Sequence, residues 1–327
     1  MGALVACSAN PEAGLQSQPT GAPTQPETEP SDDTGGEEEA GSESSGGFDE
    51  NLDVPPSESL GCRKIDFLFV IDDSESMEDE QQRLIDGFPG FIDGVRETIE
   101  EFDYHVMVVT PERLPMSYDP CDNRLGAGRV RTGGGEDCGL VEGYLGGQRY
   151  IDASNEDPVG TFACVADVGI DGNGDEKTIW SLSEAITTQA EPGMCNDGFL
   201  RDDALLVVTI ITDEEDSPDD EPPIGDYDDN SPGDPQAWRD GLVDVKGGDD
   251  EAVVVLALAG DSDLDDGICE PFVYPDGTGA EPAPRIRELA ESLPFGSWTS
   301  VCQEDYADFF NAAIDDIDTA CSGFTPG

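Results

Sequence analysis

The fold is set by one stretch of the chain, which reads Ile65-Asp66-Phe67-Leu68-Phe69-Val70-Ile71-Asp72-Asp73-Ser74-Glu75-Ser76-Met77. Its first part is a run of apolar, β-forming residues, which predicts a buried parallel strand. Such a strand delivers the residues at its carboxyl end to the crevice where open α/β sheets bind ligands. Because alternate residues of an extended loop can point to one place, we expect Asp72, Ser74 and Ser76 to converge there.

These side chains would supply a carboxylate and hydroxyl groups to a bound ion. Oxygen ligands of this kind suit the hard cations Mg²⁺, Mn²⁺ and Ca²⁺, whereas zinc and copper prefer nitrogen and sulfur. The stretch therefore predicts a divalent-cation site immediately after the first strand.

The D-x-S-x-S pattern after a hydrophobic strand resembles the first motif of the von Willebrand factor A (vWA) family. In that family the metal-ion-dependent adhesion site (MIDAS) adds a threonine from a second loop and an aspartate after a later strand. The resemblance implies that the threonine is Thr178, at the end of a G-x-x-x-T loop that begins at Gly174. It implies that the aspartate is Asp213, which follows the apolar run 204–212. The motifs occur in the family's order across most of residues 65–321.

The resemblance also implies how the site works. The hydroxyls of Ser74, Ser76 and Thr178 would bind the cation, while Asp72 and Asp213 would act directly or through water. One coordination position would stay open, and in the family it takes an acidic side chain of the protein ligand. We therefore expect a protein-binding module that depends on Mg²⁺, Mn²⁺ or Ca²⁺, acts in adhesion or complex assembly at the cell surface, and is not an enzyme.

Further oxygen donors lie close to these motifs in the sequence and are candidates for additional cation ligands. They are Asp73, Glu214, Asp216, Asp171, Asn173 and Asp175. The last three alternate as in the opening of a calcium loop. However, Glu176 and Leu182 occupy the positions of the glycine and the closing glutamate of an EF-hand, which excludes that motif. The alternative for the acidic loop after Asp213 is a solvated, mobile face without an ion.

Enzymatic chemistry finds little support in the sequence. Serine hydrolysis needs a general base, and the one histidine, His105, lies inside a predicted strand. A phosphatase of the haloacid dehalogenase type needs a second aspartate where this chain has Ser74. Two alternatives stay open: a metal-dependent hydrolase that uses a two-metal site of acidic residues, and a vWA-like domain whose cation is purely structural.

Predicted strands and helices alternate after the first metal loop. Strands are expected at 65–71, 104–110, 204–212, 252–258 and 297–301. The alternation predicts an α/β fold with a doubly wound, mostly parallel central sheet flanked by helices and stabilised by disulfides. The vWA-like domain would span 61–327, with a Gly-rich insertion at about 111–165 near the ligand face.

Charge and composition exclude several classes of partner. The 327-residue chain has 75 acidic and 15 basic residues, for a formal net charge of -60. Such a chain repels nucleic acid and anionic membrane surfaces. Residues 8–60 hold no Lys or Arg and are rich in Pro, Ser, Gly, Thr and Glu. This segment cannot bury enough apolar surface to fold, so we expect a disordered acidic linker.

The 9 cysteines indicate export from the reducing cytoplasm. Cys7 ends the sequence Leu4-Val5-Ala6-Cys7, which resembles the lipobox of bacterial lipoproteins. Residues 1–7 are therefore interpreted as the remnant of a lipoprotein signal, with Cys7 as the lipidated residue. The protein would then lie at the cell envelope or cell surface and contact a membrane only through its lipid anchor.

Without Cys7 the remaining cysteines form an even set, which suits four disulfides. The expected pairs are Cys62–Cys321, Cys121–Cys138, Cys164–Cys195 and Cys269–Cys302. The first pair flanks the domain and the last brackets one loop–helix segment, whereas the two middle pairs only complete the set. Spacing alone does not determine the connectivity.

Overall fold

The computed structural model describes residues 62–99, 102–113, 119–142, 147–172, 176–216, 231–273 and 278–325. Four of the sequence-based expectations lie outside these ranges. They concern lipidation at Cys7, the linker 8–60, and the roles of Asn173 and Asp175 as additional cation ligands.

Within the described ranges, six strands form one sheet in the order β3-β2-β1-β4-β5-β6. They are β1 (Lys64–Ile71), β2 (Asp103–Val109), β3 (Ile151–Asp152), β4 (Leu205–Ile211), β5 (Val253–Ala259) and β6 (Phe295–Ser300). Neighbouring strands are parallel, except that β3 runs antiparallel to β2. Both β4 and β5 are buried along their whole length, which explains why their sequences are continuously apolar or β-branched.

Helices cover both faces of the sheet. They are α1 (Glu78–Thr98), α2 (Pro158–Ala166), α3 (Thr178–Ile186), α4 (Pro235–Asp244), α5 (Pro284–Glu291) and α6 (Ala307–Gly323). Side chains of α1, α2 and α6 pack with Phe67 and Phe69 of β1 in one buried cluster. Those of α3, α4 and α5 pack with Leu68 and Val70 in a second cluster. Alternate residues of β1 therefore contribute to two cores. The predicted α/β class, with a mostly parallel sheet flanked by helices, is confirmed.

Four disulfides stabilise the domain. The bonds Cys62–Cys321 and Cys269–Cys302 join the pairs that we expected. The other two expected pairs were wrong, because the structure joins Cys121 to Cys195 and Cys138 to Cys164. Such bonds are typical of proteins that fold in an oxidising compartment outside the cytoplasm.

The observed pairing of the two middle disulfides follows from the way the segment after β2 folds back on the domain. Asn196 donates a hydrogen bond to the carbonyl of Gly126 and accepts one from the amide of Gly128, which places Cys121 beside Cys195. Cys138 packs instead against the core that contains α2, the helix that carries Cys164.

Among the described residues, none of the helices has the length and apolarity that crossing a lipid bilayer requires.

Candidate functional site

Asp72 lies directly after β1, and its carboxylate is fully buried. Its Oδ1 accepts a hydrogen bond of 2.8 Å from the backbone amide of Ser74. Its Oδ2 accepts one of 2.6 Å from the hydroxyl of Thr212, which immediately follows β4. Asp72 therefore links the carboxyl ends of two adjacent parallel strands, at the edge where the sequence predicted a site.

The hydroxyls of the first motif lie at the same edge. A 3₁₀ turn, Glu75–Met77, follows the motif and is anchored by the buried side chain of Met77. It brings the Oγ atoms of Ser74 and Ser76 to 3.1 Å from each other. The Ser76 hydroxyl also acts on the carboxylate of Asp213, just beyond β4, and counteracts part of the rise in its pKa. The structure thus brings together Asp72, Ser74, Ser76 and Asp213.

The start of α3 reaches this edge too. Thr178 is the first residue of α3, and its side chain is buried. The amide of Ile179 donates to Oδ2 of Asp216 at 2.7 Å, and Ser231 donates its amide and hydroxyl protons to the same carboxylate at 2.9 and 2.6 Å. Asp216 thus caps the amino end of α3, a role that the sequence did not predict for this expected cation ligand.

The other expected ligands lie on the loops around this edge. Glu214 is partly buried, and its amide donates to the hydroxyl of Thr212 at 3.0 Å. Asp171 is exposed, beside a loop that contacts the first motif. There the amide of Gly172 donates to the carbonyl of Asp73 at 2.9 Å, and a Cβ at Gly172 would lie only 2.6 Å from that carbonyl oxygen. Glycine is therefore required for this close approach.

A cluster of three carboxylates lies beside the predicted site. Asp73, Glu112 and Glu176 each place an oxygen within 4.8 Å of the others, and none of the three is more than 9% exposed. Of these three, only Asp73 was predicted as a ligand. Glu112 could have been predicted as a candidate ligand, because it lies shortly after β2 at the carboxyl edge of the sheet. Glu176 was used only to exclude an EF-hand.

Burial and mutual repulsion raise the pKa of these carboxyls. Burial raises the pKa of Asp72, and burial together with the charge of Asp72 raises that of Asp213 to about 8, against the hydrogen bond from Ser76. The pKa of Asp73 lies well above its usual value because of burial and the charges of Glu112 and Asp72. Burial and the charge of Asp72 do the same for Glu176. The shifts follow from the crowding and burial of acidic groups at this edge, and a bound cation would favour their charged forms.

A hard cation fits this donor set. Among the described residues, the buried oxygens without a hydrogen-bond partner include Oδ1 of Asp213, Oδ1 of Asp73 and both Oε atoms of Glu176. None of these carboxylates, nor that of Asp72, forms an ion pair with a described Lys, Arg or His side chain. Buried carboxylates without a partner are costly, and a divalent ion would relieve that cost.

Comparisons with known proteins identify no family for this chain. No family model matches it, and no curated protein does. Among solved structures it is similar to proximal thread matrix protein 1 from the mussel byssus, in its second crystal form, with 13% identity and a TM-score of 0.38. That match covers 78% of this chain and 48% of the mussel protein, so the chain spans about half the length of that structure. A likeness at this level carries no inference about fold or function.

Proposed function

We propose that the chain contains a vWA-like domain with a doubly wound sheet, and that a divalent cation binds at the carboxyl edge between β1 and β4. The cation would take an acidic side chain from a protein partner, so the domain would act in adhesion or complex assembly. The observation that carries this proposal is the bridging of the two strand ends. Thr212, which follows β4, donates a hydrogen bond to Asp72, which follows β1, and the Ser76 hydroxyl acts on the carboxyl of Asp213.

The position of the site in the sheet supports the proposal. The helix that follows β1 packs on one face of the sheet, whereas the helix that follows β4 packs on the other. In an open α/β sheet, a crevice forms between adjacent strands whose connections leave in opposite directions, and ligands bind there. Such a crevice would lie between Asp72, directly after β1, and Asp213, just beyond β4, which supports the proposal.

Each residue of the proposed site has a distinct role. The hydroxyls of Ser74, Ser76 and Thr178 would bind Mg²⁺, Mn²⁺ or Ca²⁺, and Asp72 and Asp213 would supply the charge, directly or through water. When bound, the cation supplies an electrophile that holds an acidic side chain more strongly than hydrogen bonds alone. The amide of Ser74 holds the Asp72 carboxylate in place before any ion binds.

The charge of the chain restricts the partner. With a formal net charge of -60, the protein repels an acidic surface everywhere except at a bound cation. The partner would therefore be a protein that offers one acidic side chain from a neutral or basic surface. We further propose that the protein is an exported bacterial lipoprotein anchored through Cys7. The four disulfides support the exported location.

Calorimetry on the full chain, titrated with MgCl₂, MnCl₂ and CaCl₂, tests the cation site. Ser76→Ala removes one hydroxyl and Asp213→Asn removes one charge, so each should weaken cation uptake at least about tenfold. Ser183→Ala, an exposed serine on α3, is the matched control and should bind as the wild type does. Unchanged uptake by both site variants would show that the site is elsewhere.

The partner is tested by capture of surface proteins from the source organism in MgCl₂, with and without chelator. A protein that chelator releases and that Ser76→Ala does not capture supports the proposal. Capture that is indifferent to both chelator and Ser76→Ala would contradict it.

A metal-dependent hydrolase is the second candidate, because the carboxylates of Asp73, Glu112 and Glu176 adjoin the proposed cation and two-metal hydrolases use such acidic sets. His105 is remote from that chemistry, since it pairs with Asp66 in the sheet and hydrogen bonds to the carbonyl of Phe199. Turnover of a substrate panel would favour the hydrolase. Complete unfolding on chelation would instead favour a cation with a purely structural role.

A further inference from the structure

We propose that Asp73, Glu112 and Glu176 form a second divalent-cation site, separate from the one between β1 and β4, and that this second site takes Ca²⁺. It would join three segments of the chain: the first motif, which contains Asp73, the loop after β2, which contains Glu112, and the segment that enters α3, which contains Glu176. The inference does not depend on the proposed function, because such a site would bind its ion whether or not the first site binds a partner.

The separation of the carboxylates allows them to share one ion. Their oxygens lie within 4.8 Å of one another. Two oxygens on opposite sides of a Ca²⁺ ion lie about 5 Å apart, so three oxygens within this distance can bind the same Ca²⁺.

Burial favours the same ion. Asp73 is 4% exposed, Glu112 is 9% exposed and Glu176 is 1% exposed. Mg²⁺ gives up its hydration water reluctantly, and a buried site leaves little room for that water. Ca²⁺ accepts a shell made largely of protein oxygens, with carboxylates bound through one oxygen or both.

Unpaired oxygens provide an independent indication of a ligand. Both Oε atoms of Glu176 and Oδ1 of Asp73 are buried and have no hydrogen-bond partner among the described residues. A buried carboxylate without a partner is so unfavourable that folded proteins almost always pair it or place it on a metal ion. Among the described residues Glu176 has no such partner, and its carboxylate lies within reach of two others.

Among the described residues, Arg129 places a positive charge near Asp73, but that charge is shared. The buried guanidinium of Arg129 acts on Asp73, but it also interacts with Asp122. Its Nε atom has no hydrogen-bond partner among the described residues. One shared monovalent cation does not balance the carboxylates of Asp73, Glu176 and the nearby Asp72, whereas an added Ca²⁺ would nearly do so.

The second ion would order the first site. Asp73 directly follows Asp72, and its carbonyl accepts the amide of Gly172, in the loop that leads towards α3. An ion held by Asp73 and Glu176 would fix the first motif relative to the segment that carries Thr178. The hydroxyls expected to bind the first cation would then be positioned before that cation arrives.

Calcium uptake by the full chain tests this proposal. Metal-free protein is dialysed against CaCl₂ at constant ionic strength, and bound calcium is compared between variants. Glu176→Gln and Glu112→Gln should each weaken one binding event at least about tenfold. Glu156→Gln, an exposed glutamate, is the control and should bind as the wild type does. Calcium uptake that is the same in Glu176→Gln as in the wild type would overturn the proposal.

Unfolding by urea distinguishes two explanations for the cluster: a bound Ca²⁺ ion, and a proton shared between the carboxyl groups. In chelator, Glu176→Gln should be at least as stable as the wild type, because a neutral amide costs less to bury among carboxyl groups than an ionisable carboxyl does. In CaCl₂ the wild type should become the more stable of the two. A variant that is less stable by the same margin in both solutions would show a structural hydrogen bond and would overturn the second site.

The two cation sites can fail independently. Ser76→Ala should weaken the first site and leave the calcium ion at Glu176 in place. If Ser76→Ala has no effect while Glu176→Gln loses calcium, the second site stands and the proposed function falls. The reverse pattern would leave the proposed function standing and remove the second site.

Discussion

Strand β1 has one buried aspartate near its amino end, Asp66, and another, Asp72, directly after its carboxyl end, and the two are held in different ways. At the amino end, Asp66 accepts hydrogen bonds of 2.8 Å from both the backbone amide and Nε of Arg201. Lys246 lies close by and donates to the carbonyl of Arg201. At the carboxyl end, Asp72 accepts its hydrogen bonds from an uncharged amide and an uncharged hydroxyl. Both aspartates are 0% exposed.

The difference shows where the chain supplies its own counter-charge. At the amino edge the chain supplies the positive charge itself, because Arg201 pairs with Asp66. Burial still raises the pKa of the Asp66 carboxyl to about 6. At the carboxyl edge the buried carboxylates have no basic partner of comparable strength among the described residues, and in our proposal a cation from solution supplies the counter-charge. An arrangement of the first kind serves stability, and one of the second kind is typical of a binding site.

The largest expected effect comes from removing the chain's own cation at the amino edge. Arg201→Met leaves Asp66 buried and unpaired, and such a change costs about 3–5 kcal/mol of unfolding free energy. Urea unfolding at pH 7 measures it. Because an acid whose pKa is raised in the folded state stabilises that state at low pH, the deficit should shrink as the pH falls from 7 towards 5. A loss below about 1 kcal/mol would remove the contrast between the two edges.

At the carboxyl edge the corresponding change should affect binding rather than folding. Asp72→Asn removes the central negative charge, and cation affinity should fall at least about 100-fold, equivalent to about 2.8 kcal/mol. In chelator the unfolding free energy should change by less than about 1 kcal/mol, because the amide oxygen can still accept one hydrogen bond. Calorimetry and urea unfolding give the two values. Asp203→Asn, on the surface, is the matched control.

Adding the cation itself should produce a smaller gain. With free cation at ten times the dissociation constant, the wild type should be stabilised by about 1.4 kcal/mol. For a domain of this size the melting temperature should then rise by roughly 3–6 °C relative to chelator. Thermal unfolding followed by circular dichroism measures the shift. Arg201→Met should show the same shift, since its defect lies at the opposite edge. If the melting temperature of neither protein changes, a cation site at the carboxyl edge is contradicted.

The smallest effect is expected for an ion pair outside both edges. Lys64 lies 2.6 Å from Asp203, but both side chains are more than one-third exposed. Water and side-chain entropy reduce the value of such pairs, so Lys64→Ala should cost less than about 1 kcal/mol. Urea unfolding at low and high salt checks this value. A larger cost would mean that exposed pairs stabilise this acidic chain as strongly as buried ones do.

Much of the fold could be predicted because long apolar runs have a single interpretation. The runs at β1, β4 and β5 predicted their strands to within a residue or two. By contrast, β3 is only two residues long and α2 starts at Pro158 inside a segment without clear periodicity, so neither was predicted. The pairing of Cys121 with Cys195 depended on how that segment folds back, which spacing does not reveal.

The candidate site divides along the same line. Asp72, Ser74 and Ser76 lie in one short motif, so sequence spacing was enough to place them together. Glu112 and Glu176 are far from that motif along the chain, and only the parallel sheet brings their carboxylates to Asp73. Residues at the carboxyl ends of neighbouring parallel strands should therefore be examined as one group.

The disulfide between Cys62 and Cys321 closes a covalent ring around the domain. Tension applied to the chain from residue 61 to residue 322 would pass through the sulfur–sulfur bond and bypass the sheet. In a single-molecule pulling experiment the oxidised domain should contribute no extra contour length, however strong the pull. A segment that does not extend under force would suit any protein that stays bound to a partner under mechanical load.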